Sequence, residues 1–366
     1  EQTEDSIRVR ATVVVTATRS ESEVDKTPLS ATVITSQDIA ARPVQNLDQH
    51  LTLTEGVYVQ RHQGFSATDS NVYLRGFRGA SRTLVLLDGQ PMNDAFADSV
   101  NWTGLPTSQV DSIEVARGPF SSLYGGNALG GVINIRTRPI DRRSLEGTAE
   151  YGTYDSSRLT AQFADRFMNR LGLSIGAERF HTDGYNSRRF TATPGTGTGI
   201  LVTGPIPSLT TAGARTAIIG EGGRNWLSRH AARVKGEFQA SPSTILSLQY
   251  LRTDYTYQYT GYKSYLRDAS GHVIDSGVVV FDDGGTLRRL SITPNNFLQG
   301  PGEQHSNFYN GTYQHAFATG ATLRVDAGLY QIPTFQFRQL GTGNTLTSGP
   351  GTLTDGNRRT VHANVQ

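Results

Sequence analysis

The sequence predicts a mixed α+β segment up to about Pro139, followed by an antiparallel β-sheet of about eight strands that runs to the end of the chain. Three observations carry this. Before Pro139, short apolar runs bounded by turn residues alternate with two helix starts. After Arg142 the apolar residues recur at every second position. The links between these later segments divide into very short ones and very long ones.

In the first half, "SATVITSQDI" reads as a strand running into a helix, with Ser36 as the cap and Gln37 to Ile39 in the first turn. "VQNLDQHLTL" continues as a short amphipathic helix with Val44, Leu47 and Leu51 on one face. Five short strands follow: "GVYVQ", "NVYLRGF", "TLVLLDG", "SIEVARG" and "GVINIRT". Asp88-Gly89 after an apolar run marks a tight turn.

In the second half, Leu323, Val325, Ala327 and Leu329 share one face, with Thr322, Arg324, Asp326 and Tyr330 on the other. Leu171, Leu173, Ile175 and Ala177 stand in the same way against Gly172, Ser174, Gly176 and Glu178, and Val234 and Phe238 against Arg233, Lys235, Glu237 and Gln239. One apolar and one polar face fit a membrane barrel with lipid outside and water inside. They also fit a soluble antiparallel sheet with one wet face, the barrel standing slightly ahead. Links such as "SP" (241–242) and "ATG" (318–320) are short, whereas 182–226 and 257–303 are long and rich in Gly, Thr and Pro, which favours the barrel. Aromatic residues cluster in "LQYLRTDYTYQYTGY" (248–262), as membrane-interface girdles do.

Composition narrows the function. There are no cysteines, so disulfides, thiolate metal sites and cysteine nucleophiles are excluded. A net charge of +2 gives no argument for nucleic acid. The longest apolar runs, such as "LVLL" and "VVVF", are far too short for a transmembrane helix. P-loop, Gly-x-Ser-x-Gly, His-Glu-x-x-His and dinucleotide signatures are absent, and "YGGNALGG" lacks the lysine of a phosphate loop. "DDGG" (282–285) reads as a solvated loop tip before it reads as a cation site. Near the start, "TVVVTAT" is a β-branched segment in polar surroundings with no evident sheet to join.

"NVYLRGF" (71–77), "TLVLLDGQPMND" (83–94) and "QVDSIEVARGPFSSLYGGNALGGVINIRTR" (109–138) resemble, in order and spacing, the plug-domain motifs of TonB-dependent outer-membrane receptors. The resemblance implies a tail over 1–19, a plug over 20–140 inside the lumen, and the N-terminal part of an antiparallel membrane β-barrel over 141–366, of 22 strands when complete. Physical size agrees. A plug of about 120 residues has a radius of gyration of roughly 13–14 Å and cannot fit inside an eight-stranded barrel. With about ten residues before Thr12, the resemblance leads to the expectation of no extra signalling domain there, unless processing has removed one.

The resemblance also assigns residues. Thr12, Val13, Val14, Val15, Thr16, Ala17 and Thr18 correspond to the TonB box, an open strand for β-augmentation by the TonB protein and its inner-membrane motor complex. Arg75 and Arg117 would anchor the plug through barrel glutamates beyond residue 366. Arg61, His62, Phe65, Arg82, Asn93, Phe96 and Trp102 lie on loops expected to face the ligand, where cations and aromatics suit an anionic iron chelate. The implied function is active import of a scarce solute across the bacterial outer membrane, with a ferric siderophore as first choice. Cobalamin, haem, another metal chelate and an oligosaccharide are alternatives. A passive porin or adhesin barrel and a soluble β-rich enzyme are the rivals from other classes. No catalytic residue, resident cofactor or metal is expected; the surroundings would be outer-membrane lipid and lipopolysaccharide, and the receptor monomeric.

Overall fold

The computed structural model describes residues 14–15, 22–23, 30–61, 70–94, 98–297, 301–340 and 351–365. Near the N-terminus, β1 (Val14–Val15) pairs antiparallel with β2 (Ser22–Glu23). β3 (Ser30–Ile34) leads into α1 (Ser36–Ala41), where Thr35 rather than Ser36 is the cap and Asp38 closes a capping box. The predicted second helix is a 3₁₀ segment, Leu47–Leu53, with Leu47 and Leu51 fully buried. β4 (Val57–Gln60) and β5 (Asn71–Leu74) form a hairpin pair. β6 (Thr83–Leu87), β7 (Gln90–Pro91), β8 (Val110–Arg117), α2 (Ser121–Tyr124) and β9 (Gly131–Thr137) complete the α+β unit. Its five-stranded sheet has the order β3-β8-β9-β6-β7, with β6 and β9 parallel.

The sequence motifs hold this sheet together. Asp88 and Gly89 both have positive φ (49° and 87°), the conformation of a type I′ turn. The Asp88 carboxylate accepts the Thr137 amide at 2.8 Å and its hydroxyl at 2.7 Å, which fixes the turn to β9. Gly131 sits at φ 149°, and a Cβ there would lie 2.3 Å from the Ala116 carbonyl oxygen, so only glycine lets β8 and β9 close up.

β10 (Ser144–Gly152), β11 (Ser156–Phe167) and β12 (Leu171–Thr182) begin the second sheet. The next connection carries β13 (Arg189–Ala192), β14 (Ile200–Leu201), β15 (Ile206–Leu209) and β16 (Arg215–Glu221). β17 (Arg224–Ser241) and β18 (Thr244–Thr260) return to the sheet. β19 (Lys263–Ser264), β20 (Gly277–Asp282) and β21 (Leu287–Ile292) occupy the second long connection. β22 (Gly302–Ala316), β23 (Thr322–Leu340) and β24 (Gly351–Val365) finish the sheet. Its order is β10-β11-β12-β17-β18-β22-β23-β24, eight antiparallel strands as expected, open at both edges.

The polarity of this sheet bears on the choice left open by alternation. On β12, Gly172, Ser174, Gly176 and Glu178 are buried against the α+β unit, while Leu171 and Ile175 are exposed. On β17, Arg229 and Arg233 are buried while Val234 and Phe238 are exposed. A soluble sheet with one wet face would show the reverse. Apolar residues turned out and charges turned in is the arrangement of a lipid-facing barrel wall.

One expectation is corrected. The tyrosine cluster is not a girdle: Tyr255, Tyr257 and Tyr259 fall on the inward face, where Tyr255 packs with Phe180 and Leu227. Only Tyr250 points outward, stacked on Tyr309 at 4.9 Å. Period two separates residues that are adjacent in sequence. The long connections are folded, with Phe190, Ile219, Leu266, Phe281, Leu290 and Phe297 in a core of their own.

Candidate functional site

The inward face of β11, β12, β17 and β18 and the 3₁₀ turns of the α+β unit meet at a cluster of charges. Glu178 and Arg229 are both fully buried, with Nη2 to Oε1 at 2.6 Å. Arg229 Nη1 also donates to the Thr103 carbonyl at 2.9 Å and to Asn46 Oδ1 at 3.2 Å, and its Nη2 donates to the Gln45 carbonyl at 3.2 Å. Glu178 accepts the Ser108 hydroxyl at 2.9 Å. Arg158 Nη2 donates to the Val44 carbonyl at 2.8 Å and to the Gln45 carbonyl at 3.2 Å, and its Nη1 reaches Glu150 at 3.1 Å. Both guanidinium carbons lie over the Phe180 ring, at 5.3 and 5.2 Å from its centroid. An aromatic face attracts each cation, and the Glu178 carboxylate between them offsets their mutual repulsion.

Further contacts cross the same boundary. The Thr253 hydroxyl donates to the Gly104 carbonyl at 2.8 Å, and Arg358 pairs with Asp94 at 2.6 Å. Leu251, Phe308, Tyr330 and Ile332 of the sheet share an apolar cluster with Met92, Trp102 and Leu105. Other groups are poorly served. Gln90 and Gln109 are buried with neither amide atom hydrogen-bonded, and Asn101 Nδ2 and His50 Nδ1 lack partners as well. Burial, with the charges of Arg42 and Arg158 adding to it, lowers the His50 pKa to about 4, so this imidazole is neutral at physiological pH.

The residues singled out from sequence are distributed unevenly around this boundary. Arg117 is buried, but its guanidinium serves the α+β unit: it donates to the Ser30 hydroxyl at 2.9 Å, the Thr32 hydroxyl at 2.8 Å and the Glu55 carbonyl at 3.0 Å. Arg75 is exposed, in a left-handed turn (φ 52°) whose amide donates to the Gly56 carbonyl at 2.8 Å. Among the described residues the anchor crosses the boundary in both senses. The sheet arginines Arg158 and Arg229 grip backbone carbonyls of the α+β unit, and Arg138 at the end of that unit forms an ion pair with Glu146 of β10. A charge on the wet face of an alternating strand looks like any other in sequence, so no signal marked Arg158, Glu178 or Arg229.

Trp102 is 1% exposed and belongs to the core, so it offers no loop surface to a ligand. Asn93 is buried as a loop clasp: Oδ1 accepts the Val85 amide at 2.9 Å, and Nδ2 donates to the Thr83 carbonyl at 3.1 Å and the Asp98 carbonyl at 2.9 Å. Arg61 forms an ion pair with the buried Asp48, which also accepts the Ser70 hydroxyl at 2.6 Å; together they staple the two ends of the 62–69 loop. Arg82 is exposed at the end of a 3₁₀ turn. His62, Phe65 and Phe96 lie outside the described residues. So do Thr12, Val13, Thr16, Ala17 and Thr18. Val14 and Val15 are paired with Ser22 and Glu23, where the sequence suggested an open strand. Asp283 of the "DDGG" tip pairs with Arg215 at 3.0 Å, and no group of three or more metal-ligating side chains occurs among the described residues.

Residues 23–132 match the family described as TonB-dependent Receptor Plug Domain. The vitamin B12 transporter BtuB of Vibrio vulnificus (strain YJ016) is 33% identical over 180 residues, covering 49% of this chain and 29% of the relative. BtuB of Vibrio cholerae serotype O1 (strain M66-2) is 34% identical over 182 residues, 48% of this chain and 29% of the relative. The chain thus matches less than a third of the length of these curated relatives. Among solved structures, a mutant of the ferric enterobactin receptor PfeA from Pseudomonas aeruginosa in complex with enterobactin aligns with a TM-score of 0.61 at 17% identity, covering 91% of this chain and 46% of that one. The ferripyoverdine receptor of the Pseudomonas aeruginosa outer membrane, bound to ferripyoverdine, aligns with a TM-score of 0.60 at 16% identity, covering 96% and 41%. At those identities the likeness is one of fold.

Proposed function

We infer, from the premise that this chain belongs to the TonB-dependent outer-membrane receptors, that it forms the plug and first barrel strands of an active importer of a scarce, bulky solute. The family transports its ligands without chemistry on them, and the chain is not an enzyme. The proposed division is a tail over 1–19, a plug over 20–140 and barrel wall over 141–366, the wall closing at 22 strands.

One observation carries the reading: a wall with its charges turned inward holds an α+β plug by arginine bonds to plug carbonyls. Such bonds are strong in place and can be exchanged for water one at a time, which suits a plug that must hold and then yield. The box at 12–18 supplies the handle. Its two described residues, Val14 and Val15, pair with only two others, so a TonB strand can displace that pairing at little cost.

For cargo, a ferric siderophore remains the first reading, resting on the family at large. The fold neighbours support it only as receptors of like shape. Cobalamin is the second reading, and the names of the sequence relatives favour it. Arg82, together with His62, Phe65 and Phe96, would provide the plug's share of the ligand surface; Arg61, Asn93 and Trp102 would support it from below.

The test uses the complete receptor in its host. Deletion of residues 11–18 should leave ligand binding intact and abolish energised uptake. Uptake that survives the deletion would return the passive channel. A binding panel of cyanocobalamin and ferric catecholates and hydroxamates then assigns the cargo.

A further inference from the structure

Four residues along β17 from Arg229, on the same inward face, stands a second fully buried guanidinium, that of Arg233. The two are served very differently. Arg229 has a carboxylate at 2.6 Å and further bonds at 2.9 and 3.2 Å. Arg233 has Ser174 Oγ at 3.3 Å and Gln249 Oε1 at 3.5 Å, both longer than an ordinary hydrogen bond, and its Nε has no partner among the described residues. Nor does a carboxylate lie within ion-pair distance of it among the described residues.

The donors around it are unused as well. Gln249, cross-strand from Lys235, is buried with its Nε2 unpaired. Gln109 of the plug is buried with neither amide atom bonded. Its amide packs on Gly176, the residue directly across the ladder from Arg233; a Cβ on Gly176 would lie 3.1 Å from Gln109 Nε2. The glycine thus brings a plug amide beside the wall guanidinium. Arg233, Gln109 and Gln249 are 1%, 3% and 5% exposed, so bulk water does not reach them.

The surrounding charges leave one positive charge over. Arg138 pairs with Glu146, and Arg166 and Lys235 share Glu237. Asp88 spends its two oxygens on the amide and hydroxyl of Thr137. With Arg233 included, these four cations stand against three carboxylates. In the lock above, by contrast, Arg158 and Arg229 are matched by Glu150 and Glu178. A buried charge without a counter-ion is costly. Buried polar groups without protein partners call for an ion or a water.

We propose that one halide ion is held between plug and wall at this point, bonded by Arg233 Nε and by the amide nitrogens of Gln109 and Gln249. Charge selects an anion over water, because all three donors are N–H groups and one of them is cationic. Enclosure selects a small one: every side chain named around it is buried, and an oxyanion would need plug and wall to separate. Its donors come from both sides of the boundary, so the ion binds only the docked plug and stabilises docking by mass action. The proposal goes beyond the importer reading and rests only on the packing of plug against wall, not on transport or cargo.

The test uses the complete receptor. Hydrogen exchange of the β9 amides is compared in sodium chloride and in sodium gluconate at equal ionic strength, which removes general screening from the comparison. Chloride at ten times its dissociation constant should slow plug opening about tenfold, and the slowing should saturate as one site fills. R233Q should exchange alike in both salts. Q109E supplies a fixed carboxylate in place of the ion and should exchange slowly in both salts; should R233Q fail to assemble, Q109E decides. Crystals soaked in bromide should show one anomalous peak within hydrogen-bonding reach of Arg233. Equal wild-type exchange in the two salts, a chloride effect that persists in R233Q or Q109E, or a bromide map without that peak would overturn the proposal and leave ordered water at these groups.

Discussion

Replacement of Arg229 by alanine removes the centre of the plug–wall lock. The side chain is fully buried and makes four described contacts, to Glu178, Asn46 and the carbonyls of Thr103 and Gln45. Its loss leaves the Glu178 carboxylate buried with Ser108 as its remaining hydrogen-bond donor. Breaking a buried pair from one side costs about 3–5 kcal/mol. Charged hydrogen bonds contribute about 1.5–3 kcal/mol each, and those to the two carbonyls hold the plug, so plug docking should weaken by about 3 kcal/mol. That is roughly a hundredfold in the opening equilibrium. Hydrogen exchange of the β8 and β9 amides in the complete receptor, followed through a urea series, reads this directly. The plug amides of R229A should exchange about a hundredfold faster, with β22 and β23 amides unchanged. The double variant E178A/R229A should cost less than the sum of its parts, because no orphaned charge remains. Plug exchange within twofold of wild type in R229A, or strict additivity, would refute the lock.

Further outcomes follow from the same structure. His50, neutral in the folded plug with a pKa of about 4 against about 6.5 unfolded, makes the unfolded chain the stronger proton binder between those values. Plug stability should therefore fall as pH drops from 6.5 towards 4, by at most about 3 kcal/mol, and His50→Gln should flatten that slope in urea titrations at several pH values. Gly131→Ala forces a Cβ to within 2.6 Å of Leu74 Cδ1 as well as onto the Ala116 carbonyl, and should cost the plug about 3 kcal/mol or more, read as a lowered urea midpoint. Leu248, 71% exposed on the outer face, should tolerate arginine only if that face meets water; in lipid, Leu248→Arg should cost about 2–4 kcal/mol in a refolding titration into bilayers.

The plug was legible in the sequence because its motifs are short-range and geometric. Asp88 binds Thr137, Glu114 accepts Asn134 at 3.3 Å, and Gly131 allows close approach, so the residue types are dictated by the bonds they make. Strand alternation was equally plain, but not its direction. Only burial shows that Glu178 and Arg229 point inward while Leu171 and Val234 point out. The site was the least legible part. Trp102 looked like a loop aromatic because sequence does not reveal that its loop folds back into the core. Arg61 and Asn93 have the chemistry of ligand contacts and spend it on Asp48 and on backbone groups. The bonds of the lock that cross the boundary join residues 70 to 184 positions apart, such as Arg229 and Thr103 at a separation of 126, and nothing local announces it.

The lobe formed by the two long connections joins distant parts of the chain into one surface. Residues from both connections, Phe190 and Ile219 from the first and Leu266, Phe281 and Phe297 from the second, interleave in one apolar centre. The edge-on contact of Phe190 with Phe297, 5.8 Å between ring centres, joins segments about a hundred positions apart. On the outer-membrane reading proposed above, with the long connections on the outer side, this lobe is a shaped, discontinuous epitope. An antibody raised against a linear peptide from either connection would meet a conformation the folded lobe does not present, whereas a binder selected on the folded lobe would recognise both connections at once.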